Sequence, residues 1–213
     1  MDHQIHLLLR ELISTSWLEW LAVLFGVAEV LYARANKIWL YPTGIAGVLL
    51  SMYLFFQAGL YAECALNGYY LVMSLYGWVY WIRRKGQPEV PVSVCTRKEW
   101  GWVVGMTLAG FGLLVFLLDR FTASTVPVWD AWVSATAWAG MWLLARRKLE
   151  NWILLNISNA CAIPLLWYKQ LPLYAVLTLY LFLVAVQGYR RWRQILTARH
   201  TVPARIGSGI QTT

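Results

Sequence analysis

Residues 152–189 read WILLNISNACAIPLLWYKQLPLYAVLTLYLFLVAVQGY. Lys169 is the only charged residue in that stretch, and with Gln170 it parts two apolar runs, 152–168 and 171–189. Each run is close to the ~20 residues that an α-helix needs to cross a hydrocarbon core. So short a break fits a tight helical hairpin. Outward from there the pattern repeats at 17–33, 38–56, 60–82, 100–118 and 127–145, with Pro, Gly or charge at the breaks. The second and third runs are parted only by Gln57-Ala58-Gly59. The expectation is an all-α integral membrane protein with seven transmembrane helices.

Composition agrees. The 213 residues are 60% hydrophobic and 13% charged, with a mean hydropathy of +0.52, where soluble domains run near 45–50% and about 25%. A soluble core of this size cannot bury that much apolar surface, so the remainder faces lipid. Seven spans leave no room for a separate soluble catalytic or nucleic-acid domain. Cys64, Cys95 and Cys161 show no CxxC spacing and read as packing residues. The N-terminus does not read as a signal peptide, because Arg10 follows Leu7-Leu8-Leu9 instead of preceding it. Ile5, Leu8, Leu9 and Leu12 fit a short helix over 3–13 at the membrane surface, or an unstructured start.

The basic residues set the orientation. Of 18 Lys and Arg, only Arg10, Arg120 and Lys169 fall on the side shared by the N-terminus and the 2–3, 4–5 and 6–7 loops. The remainder, including Arg83, Arg84, Arg146, Arg147, Lys148, Arg190, Arg191 and Arg193, fall on the other. The positive-inside rule makes the basic side cytoplasmic, with the N-terminus outside and the C-terminus inside. A net charge of +8 therefore needs no nucleic acid, because anionic membrane lipid is partner enough.

The chain also resembles itself. At a shift of 113, Trp39, Gln57, Leu60, Tyr61, Ala62 and Leu66 fall on Trp152, Gln170, Leu173, Tyr174, Ala175 and Leu179; after a two-residue slip, Gly77 and Trp81 fall on Gly188 and Trp192. This pairs spans 1–3 with spans 5–7. With span 4 between them, the two units point the same way, a 3+1+3 set of parallel repeats that places a substrate between the halves. The expected division is an N-terminal segment 1–16, a first three-helix repeat 17–82, a basic loop with linker helix 4 over 83–126, a second repeat 127–193 and a basic cytoplasmic tail 194–213.

Polar residues inside spans mark candidate site positions, since each costs free energy in lipid. Asn156 and Asn159 share one face of span 6, a turn after Trp152. A flat ring beside amide donors and acceptors suits a heteroaromatic ring with its sugar or amino group; the same amides equally fit interhelical packing bonds. Asn67, Tyr70, Ser74 and Trp78 make a second such stripe in span 3, with packing as its other reading. Asp130 follows Pro127-Val128-Trp129 at a span start, where it serves either a helix cap or the outer mouth. Glu19 and Glu29, near span ends, read as interfacial. Pro42 and Pro164 permit kinks. His3, His6 and His200 lie outside every span, and no HExxH, GxSxG or Walker loop occurs, which argues against an enzyme.

Arg146-Arg147-Lys148, Glu150-Asn151-Trp152 and Asn159 resemble the RKxxENW…N pattern of the PnuC family of vitamin-precursor transporters. Trp129-Asp130, Leu60-Tyr61-Ala62 leading to Tyr76-Gly77-Trp78-Val79-Tyr80-Trp81, and Gly188-Tyr189-Arg190-Arg191-Trp192 resemble the same family, in order, over most of 17–193. The resemblance implies a SWEET-like seven-helix fold in a bacterial inner membrane, a homotrimer, and no cofactor. It implies facilitated diffusion of a vitamin precursor, most often nicotinamide riboside, trapped by a cytoplasmic kinase. On this reading Trp152 stacks on the ring, Asn156, Asn159, Asn67 and Ser74 bond to the ligand, Trp78 and Tyr70 close the pocket, and Asp130 stabilises the outer mouth. Leu155, where nicotinamide riboside members commonly have a second Trp, and the small Asn67 and Ser74 keep thiamine in contention, with riboflavin also carried by relatives. A ligand-binding membrane subunit that does not transport, and a SWEET-type sugar carrier, are the other readings.

Overall fold

The computed structural model describes residues 9–10, 12–59, 61–82, 91–122 and 124–201. Seven long helices follow one another: α1 (Trp17–Arg34), α2 (Leu40–Gln57), α3 (Tyr61–Ile82), α4 (Arg97–Phe121), α5 (Pro127–Ala145), α6 (Asn151–Tyr168) and α7 (Pro172–Thr201). Residues 9–10 and 12–14 are also helical, while the rest of the helix expected over 3–13 lies outside the described residues. No strand occurs among the described residues; one isolated bridge joins Ser93 to Lys148. By length and composition alone, α2, α4 and the 172–198 part of α7 can each cross a membrane. Most of the polar positions singled out above sit on the other helices.

Helix α7 runs well past the span read over 171–189, and the boundary drawn at 193 falls inside it. Charge does not stop a helix. Arg, Gln and Leu are good helix formers, and neither Pro nor Gly interrupts 189–201.

The starts and stops are local. Ser16 and Glu19 form a capping box at α1, as Thr96 and Glu99 do at α4. Glu19 is thus a cap. The turns ending α1 and α5 place Asn36 and Arg147 at φ 55, where their N–H groups bond to Ala33 and Leu144, with Lys37 and Lys148 reaching back to Tyr32 and Leu143. Arginine is a poor left-handed residue, but its guanidinium lies 3.8 Å from the Trp81 ring centroid, which helps to offset the strain.

Those turn residues are 111 positions apart. So are the bounds of α2 and α6, and the left-handed residues Gly59 and Gln170 that end the two hairpins. The shift of 113 read from the sequence over 39–66 is therefore replaced by 111 throughout. Trp152 corresponds to the buried Tyr41, while Trp39 is 61% exposed. Identical glutamines drew the alignment off register, because Gln170 does the turn work that glycine does in the first hairpin.

The packed pairs are α1 on α2, α2 on α3, α3 on α5, α5 on α6, α6 on α7 and α7 on α1, with α4 laid against α5. They close a ring of six helices with α4 outside. Exchanging α1–α3 for α5–α7 leaves the six pairs of the ring unchanged.

The segment before α4 is clamped to the α5–α6 turn. The Ser93 N–H donates to the Arg147 carbonyl and the Leu149 N–H to the Ser93 carbonyl, the Cys95 N–H donates to Glu150, and Lys148 pairs with Glu99 at 2.8 Å. Burial pushes the Glu99 carboxyl up, but Lys148 and the Thr96 donors outweigh it and hold it at about 2. A carboxylate held below its ordinary 4.5 stabilises the fold above that value, and the contribution is lost as pH falls from about 4.5 towards 2. Thermal unfolding in detergent between about pH 6 and pH 3 should therefore fall more steeply for the native chain than for Glu99→Gln. Equal slopes would remove Glu99 from the account.

Candidate functional site

Two seams join the halves of the ring, α3 with α5 and α7 with α1, and each is crossed by a buried indole. Trp81 donates its Nε1–H to the Ala145 carbonyl at 3.1 Å, and Trp192 donates to the Ala33 carbonyl at 3.0 Å. Trp81 meets Tyr41 edge-on at 5.1 Å, and Trp192 meets Trp152 edge-on at 5.6 Å. Gly77 and Gly188 leave the space those partners fill. A methyl on Gly188 would lie 2.7 Å from Trp152 ring carbons, and one on Gly77 would lie 2.5 Å from the Tyr41 ring. Both seams are at the end of the ring that carries most of the basic residues, where Arg34 also bonds to Gln187.

Trp152 is consequently enclosed. It is 1% exposed, with its Nε1 unpaired, and in this conformation its ring is packed against Gly188 and set perpendicular to Trp192. The rest of its stripe is less covered. Leu155 packs over Gly140 of α5, and Ser158 donates to the Val133 carbonyl of the same helix. Asn159 lies four residues from Leu155 and seven from Trp152, on the arc between α5 and α7 that faces the ring interior. Asn156 is half-buried, its Oδ1 without a hydrogen-bond partner, beside α7.

On α3, Ser74 is buried and Asn67, Tyr70 and Trp78 are half-buried. Tyr70 and Ser74 share the face of Gly77 and Trp81, which meet Tyr41 of α2 and Ala145 of α5. That face too turns inward. The Asn67–Trp78 stripe and the Asn156–Asn159 stripe thus belong to helices on either side of α5.

Asp130 stands apart from both. Its carboxylate takes Lys169 Nζ at 2.6 Å on each oxygen and a bond from Ser124, tying the start of α5 to the α6–α7 turn. Both of its expected roles, cap and outer mouth, lie at that end.

Glu29 is the residue whose importance the sequence understated. Its carboxyl packs on Gly44 of α2, where a methyl would come within 2.5 Å of the oxygen, and it lies within electrostatic reach of Tyr41 and Tyr70. The position 111 residues on is Gly140, with Leu155 filling its crossing, so the acid is present in one half only. The signal available was a carboxylate five residues inside a span end, which reads as interfacial until its neighbours are known. No cluster of three His, Cys, Asp or Glu that would hold a metal occurs among the described residues.

Known proteins share this architecture. The chain superposes on the crystal structure of the vitamin B3 transporter PnuC with a TM-score of 0.67, over 92% of this chain and 90% of that one, at 22% identity. The nicotinamide riboside transporters PnuC of Escherichia coli (strain K12) and Shigella flexneri are each 25% identical to it, across 83% of this chain and 85% of theirs. The profile of the nicotinamide mononucleotide transporter family matches residues 16–194. The chain belongs to that family of transporters, and is a multi-pass protein of the bacterial inner membrane and not an enzyme.

Proposed function

We propose that this protein imports nicotinamide riboside by facilitated diffusion, the two three-helix groups rocking as SWEET-like parallel repeats about a path through the ring. The observation that carries the choice is the charge of the interior. Glu29 and the amides of Asn67 and Asn159 turn towards the path or border it, with Asn156 at the α6–α7 contact beside it, while the spans read from the sequence hold no Lys, Arg or His. A mononucleotide phosphate would need a cationic partner there. A riboside carrying a pyridinium cation needs the opposite, and Glu29 supplies it. Asn67, Asn156, Asn159 and Ser74 serve as hydrogen-bonding groups, Tyr70 and Trp78 as walls, and Asp130 as part of the outer mouth. Trp152 stacks on the ligand only in a conformation that frees its ring from Trp192.

The N-terminus is outside and the C-terminus cytoplasmic, as the basic residues require. Net import follows from phosphorylation of the riboside by a cytoplasmic kinase, and the working unit is a homotrimer. Thiamine, also a cationic heteroaromatic, is the second reading, favoured by Leu155 and by the short Asn67 and Ser74.

Intrinsic Trp fluorescence of the purified protein, titrated with nicotinamide riboside and separately with thiamine, decides the substrate. Saturable quenching by the riboside alone supports the assignment, and saturation by thiamine alone overturns it. Counterflow in liposomes separates a carrier from a mere binder. Glu29→Gln should weaken riboside binding about tenfold or more, the loss of a charged partner worth roughly 1.5–3 kcal/mol. Unchanged affinity would remove Glu29 from the site.

A further inference from the structure

On the outside of the ring, α6 and α7 frame a groove of about 540 Å³. Its place follows from the contacts. Gln187 and Trp192 of α7 face α1, and Phe182, Val186 and Arg193 lie on roughly the opposite side of that helix. On α6, Leu155 and Ser158 face α5, and Ile153 and Ile157 point away, each 40% exposed. From Phe182 to Arg193 the groove runs about 16 Å at ~1.5 Å per residue, close to half of a ~30 Å hydrocarbon core.

The ends of the groove differ in chemistry. Its length is mostly Ile, Ala, Phe and Val, with Trp152, Asn156 and Tyr189 where α6 and α7 meet, while Arg190 and Arg193, one turn apart, stand at the basic end. Both are exposed, and neither forms an ion pair among the described residues. A chain-length apolar trough closed by two uncompensated guanidinium groups fits an amphiphile with an anionic head. Guanidinium forks take phosphate oxygens in pairs.

We infer that this groove binds an anionic phospholipid of the cytoplasmic leaflet. Its phosphodiester sits on Arg190 and Arg193, and an acyl chain lies along Val186, Phe182, Ile157 and Ile153. The assignment rests on the cytoplasmic placement of the basic face and is independent of the transported substrate.

The test is thermal unfolding of the full chain in a neutral detergent, titrated with phosphatidylglycerol, phosphatidylcholine or inorganic phosphate. Phosphatidylglycerol should raise the midpoint saturably by about 4 °C, with no effect from the other two. Arg190→Gln/Arg193→Gln should abolish the shift, while Arg97→Gln/Lys98→Gln, which removes equal charge elsewhere on the basic side, should keep it. A shift of equal size in both double variants, or with phosphatidylcholine, would overturn the site. A shift with inorganic phosphate alone would make it a free-anion site and overturn it too. So would efficient disulfide cross-linking of Ile157→Cys between copies, which would put a second copy of the chain in the groove.

Discussion

Gly188→Ala should lower the thermal midpoint of the purified protein by roughly 6–12 °C, the equivalent of about 3 kcal/mol for a chain of this size. One added methyl is enough, because of what it meets. It would lie 2.7 Å from three ring carbons of Trp152, well inside van der Waals contact. A flexible neighbour would step aside. Trp152 is a rigid ring, 1% exposed, and Trp192 stands edge-on to it at 5.6 Å, itself fully buried. The strain must go into the α6–α7 packing. Shortening the ring should return part of the loss, so Trp152→Leu combined with Gly188→Ala should be more stable than the sum of the two single effects predicts. Gly26 is the control: nothing lies within 4 Å of a methyl there, and Gly26→Ala should be neutral or slightly stabilising. A Gly188→Ala midpoint within a degree of the native chain would mean that this contact is not present in the folded protein.

Trp192→Ala should cost about 3–5 kcal/mol, the range for deleting a buried aromatic. Trp192→Phe divides that cost. Phenylalanine keeps most of the buried surface and the edge-on contact with Trp152 but has no donor for the Ala33 carbonyl. That carbonyl also accepts the Asn36 N–H, so it is not left empty, and the loss should stay near the ordinary ~0.5–1.5 kcal/mol of one hydrogen bond. The functional readout is sharper. Trp81 and Trp192 cross the two seams of the ring, so the double variant Trp81→Phe/Trp192→Phe should change the counterflow rate while leaving equilibrium riboside binding in place. If binding falls as much as exchange, the indoles support the site and not the closure of the seams.

Much of the molecule was legible before its structure. The seven helices lie where the apolar runs lie, and the hairpin at Gln57-Ala58-Gly59 and the break at Lys169-Gln170 are turns. Length and hydropathy decide these, and both are local properties of the chain. The stripes Asn67–Tyr70–Ser74–Trp78 and Asn156–Asn159 were visible for the same reason, since helical periodicity alone puts them on common faces. The register of the internal likeness was not. Gly59 and Gln170 share a backbone conformation without sharing an identity, so matching letters aligned the wrong positions.

What the linear order could not carry was which neighbour each face meets. Trp152 looks like an open stacking surface from its spacing to Asn156 and Asn159, yet Gly188 and Trp192, far along the chain, enclose it. Glu29 looks like a span-end acid, yet Gly44 lets its carboxyl lie against α2, within electrostatic reach of Tyr70. Asp130 looks unattached, yet Lys169 holds it. The sequence by itself determined membrane residence, the number of long helices and the asymmetry of basic charge, because solvent and lipid act on each segment separately. Only the tertiary structure decided which polar groups are satisfied, which rings are covered and which side of α6 and α7 is left open. Those depend on contacts between residues on different helices, 15 to 41 positions apart in these cases.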